Sequence, residues 1–100
     1  MSSNINSLEQ YKIEYAKSIN NPIAFWEQKA KQFSWHKKWD EVLSWDFTKP
    51  QVSWFEGGKL NITENCLDRH LENKCNQTAI RWVANNPNEQ VRCLSYKELH

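Results

Sequence analysis

The chain is predicted to be an α+β protein. Two stretches of amphipathic helical periodicity near the amino terminus, a Gly-Gly turn leading into a capped helix, and two alternating segments around Asn86-Pro87 carry that prediction. One hundred residues leave room for one small domain. A chain of this size buries roughly 60–70% of its unfolded surface, so its core is marginal.

Residues 1–6 are polar and expected to be disordered, ahead of a module spanning residues 7–100. From Ser7, the apolar positions Leu8, Tyr11, Tyr15 and Ile19 follow the i, i+3, i+4 rhythm of a helix. Ser7 with Gln10 three residues on has the capping-box pattern. Asn20-Asn21-Pro22 ends that helix and starts another: Asn21 is a good cap, and Pro22 suits the first position, where no backbone donor is needed. Ile23, Trp26, Ala30 and Phe33 then mark a stripe expected to be buried, widened by Phe25.

Residues 34–53 show no such rhythm. Trp35, Trp39 and Trp45 are irregularly spaced, and Lys49-Pro50-Gln51 breaks any regular element. The segment reads as an extended aromatic arm lying across another surface, with one helical turn at Asp40–Leu43. Gly57-Gly58 supplies a tight turn with positive φ. Asn61 caps the next helix, with Glu64 at the capping-box position. Ile62, Cys66, Leu67, His70 and Leu71 share one side of that helix, and Glu64, Asp68, Arg69 and Glu72 lie mostly on the other. Thr78–Ala84 and Val91–Leu94 are predicted strands of an antiparallel hairpin, with Ile80 and Trp82 on one face. Ser95 and Glu98 form another capping-box pair, so the chain is expected to end at the start of a further helix and to be an amino-terminal fragment.

Only 39% of the residues are apolar, yet six are tryptophan. Burying one aromatic side chain is worth about 4–6 kcal/mol at 25 cal/mol/Å². So many indoles on so small a core are expected to cover a surface supplied by other protein. The formal charge of +1 argues against nucleic acid held by phosphate neutralisation. No apolar run approaches the ~20 residues of a membrane span, and the amino terminus lacks the pattern of a signal peptide. Three irregularly spaced cysteines fit reduced thiols in the cytoplasm.

Three groups invite a chemical reading. Cys66 and His70, four apart on one predicted helix, could pair as metal ligands with Cys75 and Cys93, but the spacing matches no closed zinc site. Asp68, two residues from His70, points elsewhere on a helix and cannot orient it as a catalytic triad requires. Gly57-Gly58-Lys59 lacks the first glycine and the Ser/Thr of a phosphate loop. The aromatic and basic run Phe33–Trp39 could stack sugars or bases, though packing is the commoner use. Packing and turn roles are therefore assigned to these groups, with surface or interdomain ion pairs for Asp68 and Arg69, and no residue is given a catalytic, cofactor-binding or metal role.

The run WFEGGKLNITENCLDRH, Trp54 to His70, resembles the amino-terminal signature of acetyl-CoA synthetases, the AMP-forming acetate–CoA ligases of the adenylate-forming superfamily. The resemblance extends over residues 11–100, through YKIEYAKSINNPIAFWEQKAKQFSW, WDEVLSWDF and TAIRWVANNPNEQVRCLSYKELH. The spelling NCLDRH is closer to acetate than to propionate ligases. The resemblance implies an enzyme that activates acetate with ATP and Mg to acetyl-AMP and passes the acetyl group to coenzyme A. It implies no site here, because the family's phosphate loop, acetate pocket, coenzyme A residues and catalytic lysine map beyond His100. The partner it implies is the adenylation domain, with no nucleic acid and no membrane. Alternatives are a free-standing regulatory protein that pairs with a full-length synthetase, a propionate–CoA ligase fragment, and a small carbohydrate- or nucleic-acid-binding module.

Overall fold

The computed structural model describes residues 4–100. The chain divides into two compact units, one ending at Leu60 and one spanning Asn61–His100. Of the segment expected to be disordered, residues 1–3 lie outside the described residues, and Asn6 donates its N–H to Gln10 Oε1 at 2.8 Å.

The first unit opens with helix α1, Leu8–Asn20, and helix α2, Pro22–Ala30. Ser7 Oγ accepts the Gln10 N–H at 3.1 Å, so the predicted cap forms. Asn21 serves both helices. Its N–H donates to the Lys17 carbonyl and closes α1, while its Oδ1 accepts the Ala24 N–H at 3.2 Å and starts α2. The apolar stripe of α2 is less buried than expected: Ala30 is buried, but Ile23, Trp26 and Phe33 are exposed.

Residues 34–53 are not a structureless arm. Strand β1, Glu41–Asp46, pairs antiparallel with β2, Gln51–Glu56, placing Leu43 opposite Trp54 and Trp45 opposite Val52. The expected helical turn at Asp40–Leu43 is thus strand. The cause is a period-two alternation, Leu43-x-Trp45 against Val52-x-Trp54, joined by a turn that Asp46 builds. Asp46 Oδ1 accepts the Thr48 N–H at 3.0 Å and the Thr48 hydroxyl at 2.6 Å, and its carbonyl accepts the Lys49 N–H at 3.2 Å. Lys49-Pro50 therefore turns the chain inside a hairpin and does not break an element. Beyond the strands, Asp40 N–H donates to the Glu56 carbonyl at 2.8 Å, and Lys37 bridges Lys59.

The core of this unit is Ala30, Trp39 and Val42, with Trp35 and Phe55 packed against it. This corrects the expectation that the Trp35, Trp39 and Trp45 segment lies as an arm across another surface. Trp39 is buried and Trp35 half-buried, and Trp45 and Trp54 are exposed.

In the second unit the single predicted helix after Asn61 is broken. Helix α3, Ile62–Cys66, gives way at Leu67 (φ −122°, ψ −66°) to a 3-10 turn, Asp68–His70, and a last turn α4, Leu71–Lys74. The sequence there is rich in Thr, Asn, Cys and Asp, which are weak helix formers whose side chains compete for backbone partners. Asn65 is the example: its Nδ2 donates back to the Asn61 carbonyl at 3.0 Å, and its Oδ1 accepts from Arg69 at 3.4 Å. Strands β3, Thr78–Trp82, and β4, Arg92–Ser95, form the predicted hairpin, with Ile80 opposite Leu94 and an irregularity between Thr78 and Ile80. Helix α5, Tyr96–Leu99, follows with the predicted capping box formed in both directions. Two helical hairpin partners, two antiparallel hairpins and short capped helices make the α+β class.

Candidate functional site

In the aromatic run Phe33–Trp39, Trp35 and Trp39 fold inward while Phe33 stays exposed. The Trp35 and Trp39 rings meet edge-on with centroids 5.0 Å apart, and Phe55 closes the triangle at 5.6 Å and 5.4 Å. Trp35 Nε1 donates to the Ala30 carbonyl at 2.8 Å, so the ring's polar atom is satisfied. With Trp39 only 7% exposed, these faces are used by one another and offer no platform for a sugar or a base.

The Gly57-Gly58-Lys59 turn supports this cluster. Gly57 has φ +76°, and a Cβ there would run into the Asp40 carboxylate. Gly58 lies beneath Trp35, where a Cβ would sit 2.7 Å from the ring. Its N–H donates to the Phe55 carbonyl at 3.0 Å, and the Lys59 N–H donates to the Lys37 carbonyl at 2.9 Å. The Lys59 carbonyl in turn accepts from His36 at 2.8 Å and Lys37 at 3.0 Å. Two amides that a phosphate cradle would need are spent on the fold, so the turn is a closing device.

The Cys–His constellation is not assembled as predicted. Cys66 ends α3 and His70 ends the 3-10 turn, so the two do not share one continuous helix face. His70 lies beside Tyr96, with ring centroids 5.4 Å apart, and Asp68 Oδ1 is 3.3 Å from His100 Nε2. All three cysteines are free thiols, Cys66 and Cys93 exposed and Cys75 half-buried. Among the described residues, no group of three or more His, Cys, Asp and Glu side chains comes together in a way that could hold a metal.

Three carboxylates are held below their ordinary range by hydrogen bonds that favour the charged form. Lys17 does this for Glu14, the Thr48 hydroxyl and N–H for Asp46, and the Ser95 N–H and hydroxyl for Glu98. Each organises a helix or a turn.

What the structure exposes is apolar surface. By register, Leu43, Trp45, Val52 and Trp54 lie on one face of the first hairpin. The Trp45 and Phe47 rings lie tilted against each other at 37° with centroids 4.7 Å apart, and both are exposed. In the second unit Ile80, Trp82 and Leu94 are exposed on the second hairpin, with the Arg92 guanidinium 5.5 Å from the Trp82 ring centre. The sequence reading missed the first face, although the alternation Leu43, Trp45, Phe47 was there to find it.

The described residues thus form an α+β segment with closing turns and exposed apolar faces. The chain belongs to the family described as acetyl-coenzyme A synthetase N-terminus, whose pattern it matches over residues 11–66. It is 48% identical over 93 residues to the acetyl-coenzyme A synthetase of Saccharophagus degradans, covering 92% of this chain and 14% of that protein. It is 48% identical over 95 residues to the synthetase of Leptospira biflexa, covering 94% and 14%. With acetyl-coenzyme A synthetase 2 of Pseudomonas aeruginosa it shares 43% over 93 residues, covering 92% and 14%. The chain thus spans about one-seventh of the length of these relatives. Among the described residues no helix is long and apolar enough to cross a membrane.

Proposed function

We propose that this chain is a structural module that seats against the adenylation domain of an acetate–CoA ligase. The domain activates acetate with ATP to acetyl-AMP and transfers the acetyl group to coenzyme A, and the module contributes surface and no reacting group. Residues 7–100 make up the module in this reading, and its setting is the cytoplasm. The observation that carries it is the exposed apolar set Trp45, Phe47, Val52, Ile80 and Trp82 in a chain whose relatives are about seven times its length. A solvated module of its own would be expected to cover such side chains with its own core. ATP, Mg and coenzyme A belong, in this reading, to the rest of the enzyme.

The test is acetate-dependent ATP–pyrophosphate exchange. The purified 100-residue chain is expected to show none. Replacing the matched amino-terminal segment of the Saccharophagus degradans synthetase with this chain is expected to give an active enzyme. Reproducible exchange by the chain alone, or a folded but inactive chimera, overturns the proposal.

A further inference from the structure

The first hairpin has one face that its own unit leaves largely uncovered. Trp45 is 59% exposed, Phe47 72% and Val52 55%. At the other end of the same face, Trp26 of α2 meets Trp54 edge-on at 6.4 Å, and Leu43 beside it is half-buried. Helix α2 therefore reaches the Trp54 end, while Trp45 stays exposed. At the uncovered end the Trp45 and Phe47 rings lie tilted against each other and flank Asp46, whose Oδ1 accepts from the Thr48 N–H and hydroxyl.

We propose that this Trp45–Phe47–Val52 face is the docking seat for the part of the synthetase polypeptide that follows the matched segment. The inference rests on the structural-module reading above and assigns that reading a surface. Two observations select this occupant. The first is charge. At the rim, Lys49 Nζ lies 3.7 Å from Asp46 Oδ2, and Asp46 is further held by Thr48, so the seat has local charge balance and suits a neutral apolar surface. Nucleic acid or an acidic peptide would need unpaired cations here. The second is size. The exposed parts of Trp45, Phe47, Val52 and Trp54 amount to on the order of 400 Å². That is below the ~800 Å² per partner of a stable free complex, so a second copy of the chain is poorly served by it. A tethered partner needs less contact, because the chain itself supplies a high effective concentration. Relatives in which the matched segment is 14% of the length carry that tethered remainder.

Hydroxyl-radical oxidation read by mass spectrometry tests the seat in the Saccharophagus degradans chimera against the 100-residue chain. Oxidation of Trp45 and Phe47 is expected to fall about ten-fold in the chimera, as burial of exposed rings requires. Trp45→Lys in the chimera is expected to restore oxidation of Phe47. Unchanged oxidation of Trp45 in an active chimera overturns the seat and leaves the module reading standing, whereas a folded, inactive chimera overturns both. If the chimera does not fold, the remainder of that synthetase is added to the 100-residue chain as a separate polypeptide. Concentration-dependent protection of Trp45 is then expected, and its absence overturns the seat. Protection that arises in the chain alone, with a dimer by sedimentation that Trp45→Lys abolishes, gives the face to a second copy and overturns the proposal.

Discussion

The indole N–H of Trp35 donates to the backbone carbonyl of Ala30 at 2.8 Å, fastening the loop after α2 to the last residue of that helix. The same carbonyl accepts the Phe33 N–H at 3.1 Å, so both lone pairs at the helix end are used. Trp35→Phe removes the indole donor and part of the ring that packs on Trp39 and Phe55. A loss of about 2 kcal/mol is expected, measured as a shift in the urea midpoint.

Gly58→Ala is expected to cost a similar amount. The added methyl would press on Trp35 at 2.7 Å and on the Phe55 carbonyl oxygen at 3.0 Å, and backbone cannot step aside as a side-chain tip can. Overpacking of this kind costs about 1–3 kcal/mol. A double-mutant cycle separates the two contacts: with Trp35→Ala in place, the Gly58→Ala penalty should shrink but not vanish.

Asn61→Ala is expected to cost about 1 kcal/mol by thermal unfolding. Asn61 Oδ1 accepts both the Thr63 N–H at 3.0 Å and the Thr63 hydroxyl at 2.7 Å. Since α3 spans only Ile62–Cys66, losing the cap should also raise hydrogen exchange across residues 62–66. Silence in both measurements would show that the helix does not depend on Asn61.

The capping box of α5 should respond to acid. Ser95 N–H and hydroxyl hold Glu98 below the ordinary carboxylate range, so the folded state favours the ionised form. Its contribution is complete above the unfolded value near pH 4.3 and is lost as pH falls through the lower folded value. Amide exchange at Ser95, after correction for intrinsic rates, should quicken in that acid window. In Glu98→Gln the acid-dependent part should disappear.

Chelation is expected to leave the fold unchanged, because Cys66, His70, Cys75 and Cys93 come together in no group that could hold a metal. Thermal unfolding with and without EDTA should coincide. A stoichiometric zinc ion in the purified chain would refute the assignment.

Local chemistry made some elements readable. The caps at Ser7, Asn21, Asn61 and Ser95 announce helix starts through side-chain oxygens that reach backbone N–H groups a few residues away, and such signals need no distant partner. The β3–β4 hairpin was equally plain from its alternation about Asn86-Pro87. The β1–β2 hairpin was hidden because Trp35 and Trp39 belong to a loop and a core, while Trp45 and Trp54 belong to a sheet face. Read as one aromatic series, the four have no period. The break at Leu67 was hidden for another reason: the apolar spacing continues through it, while Asn65 turns back on Asn61. At the candidate site, the turn role of Gly57-Gly58 was legible from φ requirements alone. What lies over Gly58 depends on a ring more than twenty residues earlier, which spacing does not reveal.

The backbone of α5 also closes a circuit. Tyr96 N–H donates to the Gln77 carbonyl at 3.1 Å, and Lys97 N–H donates to the Cys75 carbonyl at 3.0 Å. The start of the last helix is therefore bonded to the peptide that feeds β3, and neither bond exists until Tyr96 and Lys97 have been synthesised. On a ribosome adding about 5–20 residues per second, residues 75–95 would wait unlatched until those two amides clear the exit tunnel. The latch at the foot of the second hairpin would then close in one step, timed by the emergence of Tyr96 and Lys97.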